Sequence, residues 1–175
     1  MEGYRLGERV GFGQSAMISP ALFSSASNEW PTPLDFFEIL DDEFSFSLDP
    51  CCTHDSAKTS RHFTEEDDGL SQDWEGSVVF MNPPYGRQIG KWIEKAFLEG
   101  KKEKTVVVCL VPSRTDTRYW HEFVMRAKEI RLVRGRLKFG DGKGSAPFPS
   151  AVVVFDGDHE TPTLSAISRG RSTSS

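Results

Sequence analysis

The chain has 175 residues, of which 37% are hydrophobic and 11% aromatic, enough for one domain with a sizeable core. No apolar run approaches the roughly 18 residues of a membrane span, so we expect no membrane partner. The amino terminus lacks the apolar stretch of a secretion signal, and an odd count of three cysteines does not fit a disulfide framework. These features predict a reduced, cytoplasmic protein.

The net charge of −5 is unevenly distributed along the chain. Between Asp41 and Glu75 there are eleven acidic and two basic residues, whereas between Arg126 and Lys143 there are seven basic and two acidic ones. A polyanion can dock at such a basic end. The alternative interpretation is that both clusters are solvated surface.

Helical and strand-like patterns alternate between a predicted flexible arm (1–28) and a predicted carboxyl-terminal tail (158–175). In chain order they predict a helix over 32–43, strands over 44–49, 60–64 and 77–81, a helix over 89–100, a strand over 105–112, a helix over 118–127, and strands over 129–135 and 150–155. This alternation predicts one α/β domain (29–157) with a mostly parallel sheet covered by helices on both faces. The strand over 105–112 is the most apolar, so we expect it to be central.

Both of the first two helices have further signals. Thr32 can cap the first, with Pro33 in its first turn. The second ends at Gly100 and has one apolar face, formed by Ile89, Trp92, Ile93, Ala96 and Phe97.

The buried strand over 77–81 runs directly into Asn82-Pro83-Pro84-Tyr85, and a helix follows. Two prolines prevent further strand pairing and make the corner rigid at the carboxyl edge of the strand, where open α/β sheets bind ligands. The Asn82 side chain and the Pro83 backbone each offer a carbonyl acceptor for the N–H groups of an exocyclic amine. Tyr85 offers a flat face for a planar base, and Pro84 sets the angle between them. The corner therefore predicts chemistry at the amine of a heteroaromatic ring.

This corner resembles motif IV of the amino-methyltransferases that act on DNA bases. Four more segments occur in a matching order, at 28–40, 46–74, 108–124 and 131–155. Together, over about residues 28–156, the chain resembles the phage-type DNA N-6-adenine methyltransferase (Dam-like) family. The resemblance implies a Rossmann-like domain, S-adenosylmethionine as cofactor, and adenine N6 in double-stranded DNA as acceptor. Family analogy suggests GATC as the methylated sequence, and a bacterial host cell with phage or prophage origin.

The resemblance also implies roles for individual residues. Asn82, Pro83, Pro84 and Tyr85 would form the catalytic motif. The implied cofactor-binding residues are Trp30, Thr32 and Pro33 near the methionine end, Asp49 and Cys51 at and after the first strand, Asp68 and Leu70 near the cofactor's adenine, and Asn82. The chain departs from larger methyltransferases because no glycine-rich loop follows Asp49.

Candidate DNA-binding residues lie in two basic segments. Ser113, Arg114 and Arg118 follow the most apolar strand, at the same predicted sheet edge as Asn82. A glycine-rich basic loop follows the strand over 129–135 and can approach phosphates closely; its candidates are Arg134, Arg136, Lys138 and Lys143.

Several alternatives remain open on the sequence alone. Cys51, Cys52, His54 and His62 do not have the spacing of zinc ligands, so we predict no metal site. A cytosine-N4 or RNA methyltransferase would use the same pocket chemistry, and a non-catalytic DNA-binding protein would keep the fold. A dinucleotide-dependent oxidoreductase is disfavoured because G-x-G-x-x-G is missing. We expect a monomer or a weak dimer.

Overall fold

A computed structural model describes residues 30–140 and 144–170. The predicted amino-terminal arm (1–28) and Lys143 lie outside these residues. The elements in chain order are α1 (Leu34–Phe44), β1 (Val78–Met81), α2 (Ile89–Gly100), β2 (Val106–Pro112), α3 (Arg118–Glu122), a 3-10 helix (Val124–Arg126), β3 (Glu129–Arg134), β4 (Ser150–Phe155) and β5 (Thr163–Ser168). None of the helices within this part of the chain has the length and apolarity needed to span a bilayer.

The five strands form one sheet in the order β1-β2-β4-β3-β5. β1 pairs with β2 and β3 with β5 in parallel, whereas β4 pairs antiparallel with both β2 and β3. The expectation of a mostly parallel sheet is therefore wrong, because the sheet is mixed. β2 and β3 are consecutive in the chain but are not neighbours in the sheet. β4 follows β3 through a loop and lies between them. A loop suffices there because antiparallel neighbours need no helical crossover.

The strand β5 lies in the segment that we assigned to the carboxyl-terminal tail. It pairs with β3 from Thr163 to Ser168, and its side chains alternate between exposed and half-buried positions. An edge strand with few buried side chains has little hydrophobic pattern, so the sequence did not signal it.

Two predicted strands are reduced to single bridges. Leu48 forms a bridge with Val79 of β1, and Asp49 forms one with His62, so the segments 44–49 and 60–64 take part in isolated bridges and not in continuous ladders. Pro50 follows immediately and has no backbone N–H, so the ladder cannot continue through it.

The core lies between the sheet and the helices that cover it. Every side chain of β4 is buried, as are all those of β2 except Val106. The predicted apolar face of α2 is buried as expected, from Ile89 to Phe97. The predicted helix over 118–127 is shorter than expected, since α3 ends at Glu122 and a 3-10 turn replaces its second half. β2 is an interior strand, but β4 occupies the middle of the sheet.

Candidate active site

The Asn-Pro-Pro-Tyr corner stands at the carboxyl edge of the sheet. β1 ends at Met81, which is in register with Cys109 of β2, and Asn82 follows directly. Pro83 is buried and Pro84 exposed. The chain then passes through a short turn into α2. The corner is therefore held between a buried strand and a buried helix, as the sequence predicted.

The Asn82 amide is held in one orientation. Its Nδ2 donates to the backbone oxygen of Trp30 at 2.6 Å and to Thr32 Oγ1 at 2.9 Å. Its Oδ1 is buried and has no hydrogen-bond partner among residues 30–140 and 144–170. Buried polar atoms are nearly always paired in native proteins, so an acceptor left free at such a corner points to a missing donor.

Thr32 does not cap α1 as we predicted. Pro33 occupies the cap position, and no side chain caps the helix there. The Thr32 hydroxyl instead accepts the hydrogen bond from Asn82, 50 residues further along the chain. The prediction was wrong because a local capping pattern cannot reveal a competing long-range partner.

Asn82 faces a cavity of about 850 Å³, which is within the range of small-molecule and cofactor pockets. We call residues 80–84 its sheet wall and residues 49–70 its loop wall. Of the implied cofactor-binding residues, the cavity is lined by Trp30, Thr32, Asp49, Cys51, Asp68, Leu70 and Asn82. Pro33 lies just outside, at the start of α1, where its carbonyl accepts the amide of Phe37. One cavity thus collects side chains from distant parts of the sequence.

Asp49 organises the loop wall. Its two carboxylate oxygens accept the backbone amides of Cys51 at 3.4 Å and Lys58 at 3.1 Å. Only 3% of the residue is exposed, and this burial raises the pKa of the carboxyl above its ordinary value despite those hydrogen bonds. Asp49 therefore helps to hold the backbone of residues 50–58 in place.

The two adjacent cysteines stay protonated thiols. Burial, followed by the proximity of Asp49, raises the pKa of Cys51 well above its ordinary value. The same two causes raise the pKa of Cys52 to about 12. Neither residue is therefore a thiolate nucleophile at neutral pH.

The far end of the loop wall is fixed by a close backbone approach. A Cβ on Gly69 would lie 1.9 Å from the backbone oxygen of Pro50, so only glycine fits there. The Gly69 oxygen accepts Trp74 Nε1 at 3.0 Å, and the Trp74 ring stacks on Trp92 of α2. This packing places Asp68 and Leu70 at the cavity.

The cavity is bordered by more acidic than basic side chains. Glu65, Glu66, Asp68 and Asp49 line it, against Lys58 and Arg87. The acidic half of the sequence is thus brought to the pocket, where it favours a cationic ligand.

Tyr85 does not present an open face. It is only 5% exposed, and its hydroxyl donates to the backbone oxygen of Leu110 at 3.0 Å. The rings of Phe148 and Phe139 pack against it at steep interplanar angles, with centroids at 5.4 and 6.3 Å. The face that we expected for base stacking is covered in this structure, and the catalytic role of Tyr85 stays a prediction.

The candidate DNA-binding residues flank the corner at the same edge of the sheet. Ser113 and Arg114 follow β2, and the amide of Ser113 is bound by the carbonyl of Pro149. Arg118 is highly exposed and pairs with Glu122 at 2.7 Å on α3. These residues are brought to the edge that carries Asn82, as predicted.

The second basic segment follows β3, which runs in the same direction as β2. Arg134, Arg136 and Lys138 are exposed, whereas Leu137 and Phe139 in the same segment are buried. One side of this segment therefore faces solvent with positive charge while the other packs toward Tyr85 through Phe139.

Sequence reasoning missed several residues at the site. Arg87 lines the cavity immediately after the corner, and Glu65 and Glu66 line it just before Asp68. Their adjacency to predicted site residues was a usable signal. Phe139 and Phe148 form an aromatic cluster with Trp30, with centroids 5.6 and 5.2 Å from it, and only the fold brings those segments together.

The histidines of the loop wall form a pair, with His54 Nδ1 2.9 Å from His62 Nε2. Within residues 30–140 and 144–170, no three His, Cys, Asp or Glu side chains gather in a way that could hold a metal ion.

Comparison with known proteins gives an independent indication of the family. A model of the protein family described as "DNA N-6-adenine-methyltransferase (Dam)" matches residues 21–171. A relative from Haemophilus phage HP1 (strain HP1c1), named DNA N-6-adenine-methyltransferase, is 27% identical over 135 residues, or 73% of this chain and 78% of that protein. The family match spans most of the sequence and includes the corner, the loop wall and both basic segments. The chain belongs to the DNA N-6-adenine-methyltransferase (Dam) family.

Proposed function

We propose that this protein methylates the N6 amine of adenine in double-stranded DNA, with S-adenosylmethionine as methyl donor. The observation that carries the proposal is the free acceptor on Asn82. Asn82 lines the cavity, and its Oδ1 is buried without a partner among residues 30–140 and 144–170, while its Nδ2 makes two hydrogen bonds. The name of the phage relative supports adenine as the base.

The sheet wall has the chemistry that an exocyclic amine requires. The amine of adenine is a poor nucleophile because its lone pair is delocalised into the ring. Asn82 Oδ1 accepts one N–H and the backbone carbonyl of Pro83 accepts the other, so the lone pair is localised and directed away from both acceptors. The corner is already rigid, so alignment requires little reorganisation when the base arrives.

The cavity residues fit S-adenosylmethionine. When bound, this cofactor supplies an electrophilic methyl group on a positively charged sulfur. The acidic border from Glu65, Glu66 and Asp68 suits that positive charge, and the volume of about 850 Å³ admits a single cofactor. Asp68 and Leu70 would hold the adenine end and Trp30 the methionine end, with Asp49 and Cys51 as further cofactor-binding residues. On this proposal the mixed sheet serves as a Rossmann-like methyltransferase scaffold.

The candidate DNA-binding residues are proposed to bind the DNA. At the same edge, Ser113 is half-buried, and the exposed residues are Arg114, Arg118, Arg134, Arg136 and Lys138. Lys143, outside the described residues, is proposed with them. Their positions on both sides of the corner suit a duplex laid across the carboxyl edge of the sheet, with phosphate contacts setting its orientation. The target amine is paired inside the duplex, so the adenine must be extruded into the pocket. Because Tyr85 is covered, we propose that Phe148 shifts when the base enters.

The test combines product analysis with sequence mapping. The purified full chain is incubated with S-adenosylmethionine and mixed-sequence duplex DNA, and nucleosides are analysed by mass spectrometry. We expect N6-methyladenine in one short context, with GATC as the first candidate. N4-methylcytosine, methylation of RNA in preference to DNA, or absence of any methylated base would each overturn the proposal.

We further propose that the protein acts as a monomer or weak dimer in the cytoplasm of a bacterial host, with a phage or prophage origin. The phage relative supports this setting. Sedimentation of the purified chain with and without duplex DNA measures the oligomeric state.

A further inference from the structure

We propose that Thr32 is a positioning residue whose hydroxyl, together with the Trp30 carbonyl, holds the Asn82 amide in the orientation that presents Oδ1 to the substrate amine. This inference rests on the proposed function, because it concerns how the acceptor of that reaction is presented. It assigns Thr32 a role through Asn82, in place of the helix cap and of the direct cofactor contact that the sequence suggested.

The orientation matters because the two ends of an amide are similar in size and opposite in hydrogen bonding. The oxygen only accepts, and the NH2 group only donates. An amine that keeps its two N–H groups pointed at the protein requires oxygen at both positions. If the Asn82 amide turned over, its NH2 would oppose the N–H of the substrate and the acceptor would be lost.

Two oxygens hold the amide in the productive orientation. The backbone oxygen of Trp30 lies 2.6 Å from Asn82 Nδ2, and Thr32 Oγ1 lies 2.9 Å from the same nitrogen. The carbonyl can only accept, so a reversed amide would set two oxygens against each other there. Thr32 is the second acceptor, so each of the two N–H groups of Asn82 has its own partner.

Water does not readily replace the Thr32 hydroxyl, since only 4% of the residue is exposed. Its backbone is restrained on both sides, because it lies between Pro31 and Pro33, and residues before proline favour extended conformations. The carbonyl of Pro31 is bound in turn by the amide of Gly140 at 3.0 Å. The hydroxyl is thus presented from a fixed segment, as a positioning role requires.

The kinetic test compares Thr32→Val, which keeps the shape and removes the hydroxyl, with Thr32→Ser, which keeps the hydroxyl. We expect Thr32→Val to lower kcat about tenfold, the effect of losing one hydrogen bond at an aligned group, with little change in the Kd for S-adenosylmethionine. Thr32→Ser should restore most of kcat. Equal losses in both variants, or a loss confined to cofactor affinity, would overturn the positioning role.

A second measurement does not depend on activity. The chain contains only two asparagines, Asn28 and Asn82, so labelling with 15N-asparagine gives two pairs of side-chain NH2 signals in NMR spectra. We expect slow solvent exchange for the Asn82 amide protons in the wild type and in Thr32→Ser. In Thr32→Val, exchange of those protons should be about tenfold faster, because one hydrogen bond is gone.

The two measurements separate this inference from the proposed function. An inactive wild type with a protected Asn82 amide that loosens in Thr32→Val would reject the methyltransferase proposal and keep the orientation by Thr32. If the wild type is active, but Thr32→Val changes neither kcat nor the exchange rate of the Asn82 amide protons, the methyltransferase proposal is kept and the positioning role of Thr32 is rejected. Thr32→Ala provides a second variant without the hydroxyl if Thr32→Val does not fold.

Discussion

The sheet wall and the loop wall of the cavity are built by different means. The sheet wall continues β1, which is hydrogen-bonded to β2 along four registered pairs. The loop wall, residues 49–70, contains no regular helix or strand, and its one bridge, between Asp49 and His62, lies within the segment itself. The acceptor group Asn82 stands on the first and the acidic border on the second.

The loop wall owes its shape to side chains that bind backbone. Asp49 accepts two loop amides, Trp74 donates to the oxygen of Gly69, and Arg61 donates to the backbone oxygen of Asp73 at 3.4 Å. Glu99 of α2 accepts the amide of Trp74 at 3.0 Å and so fastens the end of this segment to the helix. Removing one such side chain should therefore disturb a whole segment, whereas the sheet wall should tolerate changes at single side chains.

This contrast teaches where precision is needed. Transfer of a methyl group to a weak nucleophile depends on alignment of the acceptor, and the sheet supplies a rigid base for it. Recognition of a cofactor by charge and shape tolerates larger shifts of the binding residues, so a wall built from loops can provide it. Four substitutions break or sharpen the comparison, in order of decreasing expected effect.

Replacing Asn82 by Ala tests the sheet wall chemically. We expect kcat for adenine methylation to fall by at least about 10²–10³-fold, because the substrate amine loses a preorganised acceptor. The fold and most of the affinity for S-adenosylmethionine should survive, because the strand and the loop wall are untouched. Methylation rates, circular dichroism and calorimetry measure the three quantities. Full activity in this variant would reject the assigned role.

Replacing Gly69 by Ala tests the loop wall. The added Cβ would lie 1.9 Å from the Pro50 oxygen, so the two segments must separate. We expect a loss of about 1–3 kcal/mol in the free energy of unfolding, together with weaker cofactor binding. Gly144→Ala is the control, since a Cβ there meets nothing within 4 Å. Urea titration and calorimetry of both variants make the comparison, and similar behaviour of the two would contradict it.

Replacing Glu99 by Gln tests how the loop wall is fastened to α2. Burial alone would raise the pKa of Glu99, but hydrogen bonds from Lys95 at 2.6 Å and Lys102 at 2.9 Å outweigh it and lower the pKa below the ordinary 4.5. The carboxylate therefore stabilises the folded state fully above pH 4.5, and this contribution disappears as pH falls through the lowered value.

We expect Glu99→Gln to lower the free energy of unfolding by about 1–2 kcal/mol at pH 7, as charge-assisted hydrogen bonds become neutral ones. The difference from the wild type should shrink as pH falls below 4.5. Urea unfolding at a series of pH values measures it. A difference that stays constant down to pH 3 would show that the charge of Glu99 does not contribute.

Replacing Tyr85 by Phe has the smallest expected effect and concerns the residue that directly follows the sheet wall. The buried hydroxyl donates to the Leu110 oxygen, so its removal should cost about 0.5–1.5 kcal/mol in the free energy of unfolding. The ring and its packing on Phe148 remain, so we expect methylation to change little. A loss of methylation without a loss of stability would indicate a direct role of the hydroxyl in the reaction.

Much of the sheet wall could be predicted because its signals are local in sequence. An apolar run, two prolines and an amphipathic helix follow one another between residues 78 and 100, and each restricts the backbone within a few residues. The direction of β4 and the presence of β5 could not be predicted. An apolar strand is compatible with either pairing direction, and an exposed edge strand has little pattern.

The sequence by itself determined that a rigid amide-bearing corner ends a buried strand, and that acidic and basic charge are separated along the chain. Only the tertiary structure decided that Thr32 and Trp30 orient the Asn82 amide, that Asp49 holds a loop without glycine, and that aromatic rings cover Tyr85. The physical reason is the sequence separation over which each kind of interaction acts. Backbone restriction and hydrophobic period act between neighbours, whereas the orientation of a buried polar group depends on partners that folding brings from far along the chain.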